Sequence, residues 1–238
     1  MTESTKNAFM HGLRNGLPIC LGYVSVSFTF GMMCTEEGLP FWVALLISMT
    51  NLTSAGQFAG TALILGGGTL LEIAITTVVI NIRYMLMSLS ISQKIDPAMS
   101  IPKRLIMSFG VTDEIFGVSM QSKKEISFAY FFGLMLAPFW GWAFGTLIGA
   151  TCVSFLPEMV RSALGIAIYG MFIAIIIPPA RTERPILWVI VLASIISCIF
   201  YYLPVLHTIS SGWVIIICAV LVSAFAAVKW PIKEEEDE

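Results

Sequence analysis

Apolar residues in this chain neither alternate nor fall into narrow stripes. They run on, and the runs stop at a few definite places. Segments of this kind cover approximately residues 17–34, 41–66, 69–92, 105–121, 127–155, 163–179, 186–204 and 212–229. Most approach the roughly 20 residues that a helix needs to cross hydrocarbon, which predicts an all-α polytopic membrane protein. Two segments are interrupted. "NLTSAGQF" at 51–58 places Asn51, Thr53, Ser54 and Gln57 in the middle of the run from Phe41 to Leu65, and 105–121 carries Asp113 and Glu114 at its centre.

Charge turns these segments into a topology. Lysine and arginine in short loops favour the cytoplasmic side. Lys6 and Arg14 put the N-terminus inside, and the loop with Glu36 and Glu37 but no base lies outside. If 41–66 crossed once and 69–92 crossed back, the basic loop with Lys94, Lys103 and Arg104 would fall outside, against the rule. The conflict disappears if 41–66 turns back at its polar interruption, so that Gly66, Gly67 and Gly68 lie outside and 69–92 runs inward. Segment 105–121 is short and flanked by base on both sides, Lys103 and Arg104 before and Lys123 and Lys124 after, so it too returns to the side it left. The prediction is a helical bundle of about six full crossings plus two broken or re-entrant segments, near 41–66 and 105–121, with both termini cytoplasmic. Eight ordinary spans that obey the charge rule weakly are the alternative.

Composition fits that solvent: 57% of the 238 residues are hydrophobic and 12% charged. No second domain is visible, so 1–230 reads as a single transmembrane domain and 231–238 as an acidic cytoplasmic tail. The N-terminus lacks an early cleavable apolar core, and the first span is expected to serve as its own insertion signal. Cys20, Cys34, Cys152, Cys198 and Cys218 have no C-x-x-C spacing and read as small apolar residues. No metal or cofactor is expected, and nothing suggests nucleic acid.

Buried backbone has no water to bond in hydrocarbon, so a broken helix there must be covered by protein or line a wet cavity. The second half-helix presents free N–H groups and a partial positive charge, which suits a carboxylate. Ser54, Ala55 and Gly56 are small enough for a ligand to approach that backbone, while Asn51 and Gln57 add side-chain hydrogen bonds. Arg83, within "VVINIRYMLMSLS", is costly in a span unless it faces the interior and has a partner. Asn81 and Tyr84 are off its face at helical spacing, which predicts a partner from elsewhere: Asp113, Glu114 or a substrate carboxylate. Asp113 and Glu114 are equally candidates to face a substrate ammonium or to carry a proton; "TDE" at 112–114 is also a good helix start.

"SAGQF" at 54–58, "NIRYMLMSLSIS" at 81–92 and "GVTDEIFG" at 110–117, after the opening "GLPICLGYVSVSFTFG" at 16–31, together resemble the AzlC family of bacterial branched-chain amino-acid permeases, known for azaleucine resistance. The resemblance covers about the first 150 residues by motif and the remainder by hydropathy. It implies a large permease subunit in the bacterial cytoplasmic (inner) membrane that exports branched-chain amino acids or methionine with a small AzlD-type membrane subunit. The family's "ASQF" falls on Ala55 to Phe58, with Gly56 where serine is usual. Its "D-x-R-H" falls on Asn81 to Tyr84, with both the acid and the histidine replaced, while "TDE" is intact. The substrate-binding set expected is Asn51, Ser54, Ala55, Gly56, Gln57, Arg83, Asp113 and Glu114, the last three also being candidates for coupling. A channel or scaffold subunit without coupled transport is the competing class. No G-x-S-G, H-E-x-x-H or paired-aspartate signature supports an enzyme.

Overall fold

The computed structural model describes residues 3–122, 125–152, 155–206 and 208–231. Lys123, Lys124 and the acidic run 234–238, which entered the sequence reading, lie outside the described residues. Within them the protein is helical without strands: α1 (Glu3–Glu36), α2 (Phe41–Thr50), α3 (Ser54–Leu65), α4 (Leu70–Ser92), α5 (Ile101–Phe109), α6 (Asp113–Met120), α7 (Phe128–Cys152), α8 (Glu158–Thr182), α9 (Arg184–Tyr202) and α10 (Ser211–Lys229). Helices α1, α4, α7, α9 and α10 are each long and apolar enough to cross a membrane. The protein is an all-α polytopic membrane protein, and α8 takes in the whole of the expected segment 163–179.

By contact the chain sorts into two compact units, Met1–Phe58 with Ile80–Ile168, and Ala59–Val79 with Tyr169–Glu238. The spine of the first unit is the pair α1 and α7. A β-carbon on Gly31 would lie 2.1 Å from the Thr146 carbonyl oxygen, and one on Gly149 would lie 2.0 Å from that of Phe28. Such backbone contact is how helices associate in lipid, where apolar side chains gain little by leaving the tails. The two helices run parallel, since Gly12 faces Tyr130 and Gly31 faces Thr146. Packing also explains why α1 starts at Glu3 rather than near Leu17. Phe9 and Gly12 lie against Gly133 and Tyr130 of α7, which holds the polar N-terminal stretch in helix.

Helix α1 ends at Gly38, whose φ of +88° suits only glycine well and lets the Leu39 amide reach back to the Cys34 carbonyl at 2.8 Å. The chain then runs back along α1. Ala44 packs with Phe30 and Cys34, and Leu52 packs with Tyr23 and Trp142. Tyr23 and Phe30 are about 10 Å apart along their helix at ~1.5 Å per residue. A continuous helix would carry Phe58 further past Tyr23; instead the Phe58 ring lies 5.0 Å from Phe30. The chain has reversed at the break. The break itself is shorter than the sequence suggested: only Asn51–Thr53 are non-helical, and Ser54–Gln57 form the first turn of α3.

The second interruption also reverses. Arg104, in the first part of α5, donates to the carbonyls of Asp96, Pro97 and Met99. Lys94 reaches the carbonyls of Met120, the last residue of α6, and Ser122 just past it, at 2.9 and 3.3 Å, and the Ile126 amide donates to the Lys94 carbonyl at 2.8 Å. The start of α5 and the end of α6 therefore meet the same loop. Nine residues of α5 rise only ~14 Å, under half the ~30 Å of hydrocarbon. The segment begins at Ile101, earlier than expected, and is non-helical at 110–112.

In the second unit α9 and α10 pack against each other. Trp188, Ile195 and Ile199 of α9 are exposed, as suits side chains that meet lipid tails. The break between α3 and α4 is a glycine turn, with Gly67 at φ +73° and the Gly68 amide on the Leu63 carbonyl at 2.8 Å.

Candidate functional site

In the first unit the two breaks converge on Arg83. Thr53 caps α3: its Oγ1 accepts from the Gly56 amide (3.3 Å) and from the Tyr84 hydroxyl (3.3 Å), and donates to Asn81 Oδ1 (2.8 Å). Tyr84 in turn accepts from Arg83 Nη2 at 3.3 Å, and the guanidinium lies 5.0 Å from its ring centre. Arg83 Nη1 is 2.9 Å from Asp113 Oδ2, in the first turn of α6. One connected path therefore runs from the cap of α3 to the start of α6.

Asp113 and Glu114 are separated by their partners. Thr112 caps α6 by accepting from the Ile115 amide at 3.4 Å. Tyr23, from α1, donates to Glu114 Oε2 at 2.5 Å and lies 2.8 Å from Thr112 Oγ1. Glu114 is thus tied to Tyr23 while Asp113 meets the arginine. The side chains of Arg83 and Asp113 are 38% and 31% exposed, while Arg83 Nε is buried without a hydrogen-bond partner.

Of the residues expected at a site, Arg83, Asp113 and Glu114 come together with the α3 cap, and of the three partners left open for Arg83 the structure pairs it with Asp113. Ser54 and Ala55 occupy the open first turn of α3, where the leading amides lack intrahelical acceptors. Three expectations need correction. Tyr84 was placed off the arginine's face, but long adjacent side chains meet because the guanidinium folds over the ring. The Gly56 amide is already held by Thr53, and a β-carbon there would come within 2.9 Å of Asn81 Nδ2, so glycine permits the approach of α3 to α4. Gln57 is 1% exposed and has both ends engaged: its Nε2 donates to Ser48 Oγ (3.3 Å), and its Oε1 accepts from Trp142 Nε1 (3.1 Å). Ser48 continues to Thr146 at 2.7 Å. Gln57 therefore braces the re-entrant segment against α7 and has no free polar end to offer. Asn51 is the C-cap of α2, its amide on the Ile47 carbonyl at 2.9 Å.

Sequence reasoning missed Tyr23 and Trp142. Both sit in aromatic-rich spans, where nothing local separates a lipid-facing ring from one turned to a polar partner. Among the described residues no group of three or more histidine, cysteine, aspartate or glutamate side chains is placed to hold a metal.

Residues 18–156 match the AzlC protein family. The chain is 27% identical over 183 residues to the inner membrane protein YgaZ of Escherichia coli strain K12, covering 74% of this chain and 75% of the relative. It is 33% identical over 181 residues to an uncharacterized membrane protein of Archaeoglobus fulgidus, covering 75% and 79%. An uncharacterized membrane protein of Helicobacter pylori strain 26695 is 28% identical over 152 residues, covering 62% and 64%. No solved structure matches the chain.

Proposed function

Because the chain belongs to the AzlC family of membrane proteins, we propose that it is the large subunit of a secondary transporter exporting branched-chain L-amino acids. The observation that carries this reading is the convergence of two re-entrant breaks on a partly exposed Arg83–Asp113 pair. An amino acid is a zwitterion, and the cluster offers complementary charge to both halves. Its carboxylate takes the planar fork of Arg83, with the Ser54 and Ala55 amides beside the α3 cap; its ammonium takes Asp113, and Glu114 when Tyr23 releases it. Without substrate, Arg83 and Asp113 neutralise each other, which lowers the cost of holding both in a span. With substrate, one internal pair is exchanged for two charge-assisted contacts.

Short half-helices that turn back inside a bundle suit alternating access, because each can tilt without unpacking a full span. Differences of one methylene are worth about 1–3 kcal/mol in an apolar pocket, so overlapping use of leucine, isoleucine and valine follows. The setting is the bacterial inner membrane with both termini cytoplasmic, and the working unit includes a small AzlD-type partner.

Counterflow of labelled leucine into proteoliposomes, with and without the small partner, tests this reading. The expected result is saturable uptake accelerated by unlabelled leucine, isoleucine or valine inside. Flux that rises linearly with concentration and ignores internal substrate would establish the channel class instead.

A further inference from the structure

The second unit holds a polar cluster of its own. Glu72, in the first turn of α4, is 4% exposed. Its backbone amide donates to Thr69 Oγ1 at 3.2 Å, and its Oε1 accepts from Ser210 Oγ, just before α10. One turn on, Thr76 is fully buried and its hydroxyl has no hydrogen-bond partner; the same is true of Thr61 on α3, at 1% exposure. The point where a β-carbon of Gly212 would sit is 2.6 Å from Glu72 Oε1 and 2.9 Å from Thr76 Oγ1. Any larger residue at 212 would fill the space that these two oxygens share.

A carboxylate buried in a span is expensive unless its charge is met. Among the described residues no basic side chain pairs with Glu72. The groups that face it are Thr69 just before α4, Thr76 within α4, Gly68 from the preceding turn, and Ser210 and Gly212 at the start of α10. None of these is charged. Oxygen donors suit hard cations, and one formal charge amid neutral hydroxyls matches a single positive charge better than two.

We propose that Glu72, Thr76 and Ser210, kept open by Gly212, form a binding site for one Na⁺ ion. Such an ion is what an exporter would draw inward to drive export; that last step rests on the function proposed above, while binding itself does not. The simpler role is that Glu72 only caps α10, whose Ser210 makes no side-chain cap bond of its own.

The test is the thermal unfolding midpoint of the full-length protein in detergent, in NaCl against choline chloride at equal ionic strength and neutral pH. A sodium site gives a midpoint several degrees higher in NaCl. Glu72→Gln and Gly212→Ala remove that response. Thr76→Val separates a site from a cap without threatening the fold, since it removes a hydroxyl that bonds to nothing. It weakens the sodium response several-fold if the hydroxyl is a ligand. Wild type with no sodium response, or an unchanged sodium response in Thr76→Val and Gly212→Ala, overturns the proposal. Transport does not enter the readout, so a protein that failed to move leucine could still pass, and an active exporter could still fail.

Discussion

Thr53 is held by three neighbours at once, the Gly56 amide, Asn81 and Tyr84. Losing a helix cap of this kind costs about 1 kcal/mol, and Thr53→Val also takes away the Tyr84 acceptor. The expected outcome is a lower unfolding midpoint together with weaker leucine binding, both restored in Thr53→Ser. Gln57 separates fold from site. Gln57→Leu strands the Trp142 N–H and deprives Ser48 of a donor, at roughly 1–3 kcal/mol for a buried group left unsatisfied. The midpoint falls while the leucine Kd of the folded fraction stays within about twofold; a tenfold weaker Kd would make Gln57 a ligand after all. The three departures from the AzlC pattern, Gly56, Asn81 and Tyr84, also meet here. Gly56 abuts Asn81, and Thr53 bonds to both Asn81 and Tyr84. They form one local solution, which a position-by-position comparison of motifs treats as separate losses.

At the scale of elements, base on both flanks of 105–121 is what made the hairpin of α5 and α6 legible. Charge in loops reports which side a loop occupies, and Lys103 and Arg104 before the segment with Lys123 and Lys124 after it required 105–121 to return. The polar interruption at 51–58 gave the other reversal. Cysteines introduced at Ser100 and Ser122, on either side of the hairpin, should therefore react with a membrane-impermeant maleimide from the same face; labelling from opposite faces would restore eight plain spans. Boundaries were less legible. Hydropathy starts the first span near Leu17, whereas Phe9 and Gly12 pack on α7 and extend α1 to Glu3. That packing also yields a prediction: Gly149→Val drives a side chain into the Phe28 carbonyl, 2.0 Å from the β-carbon position. It should abolish the folded-protein peak on size exclusion, with little effect from a surface change such as Val191→Leu.

For the whole molecule, the sequence order of the polar interruptions conveyed membrane, fold class and family, and it singled out Arg83, Asp113 and Glu114. It did not convey which polar residues are structural. Gln57 and Ser54 are three residues apart in one motif, yet one faces Trp142 across the bundle and the other begins an open turn. Only the direction of α3 after the break decides that. Tyr23 was hidden for a related reason, since its role depends on α6 returning beside α1 with Glu114 at its tip.

The central claim is that Arg83, brought between the two breaks and paired with Asp113, receives the carboxylate of an amino acid. Equilibrium binding of labelled leucine to the purified wild-type protein and to Arg83→Lys, at matched amounts of folded protein, tests it most directly. Lysine keeps the charge but loses the planar fork. The account predicts that binding weakens at least tenfold in the variant, and that leucinamide, which lacks the carboxylate, fails to compete in wild type. Equal affinity in the two proteins, with leucinamide competing as well as leucine, would contradict it.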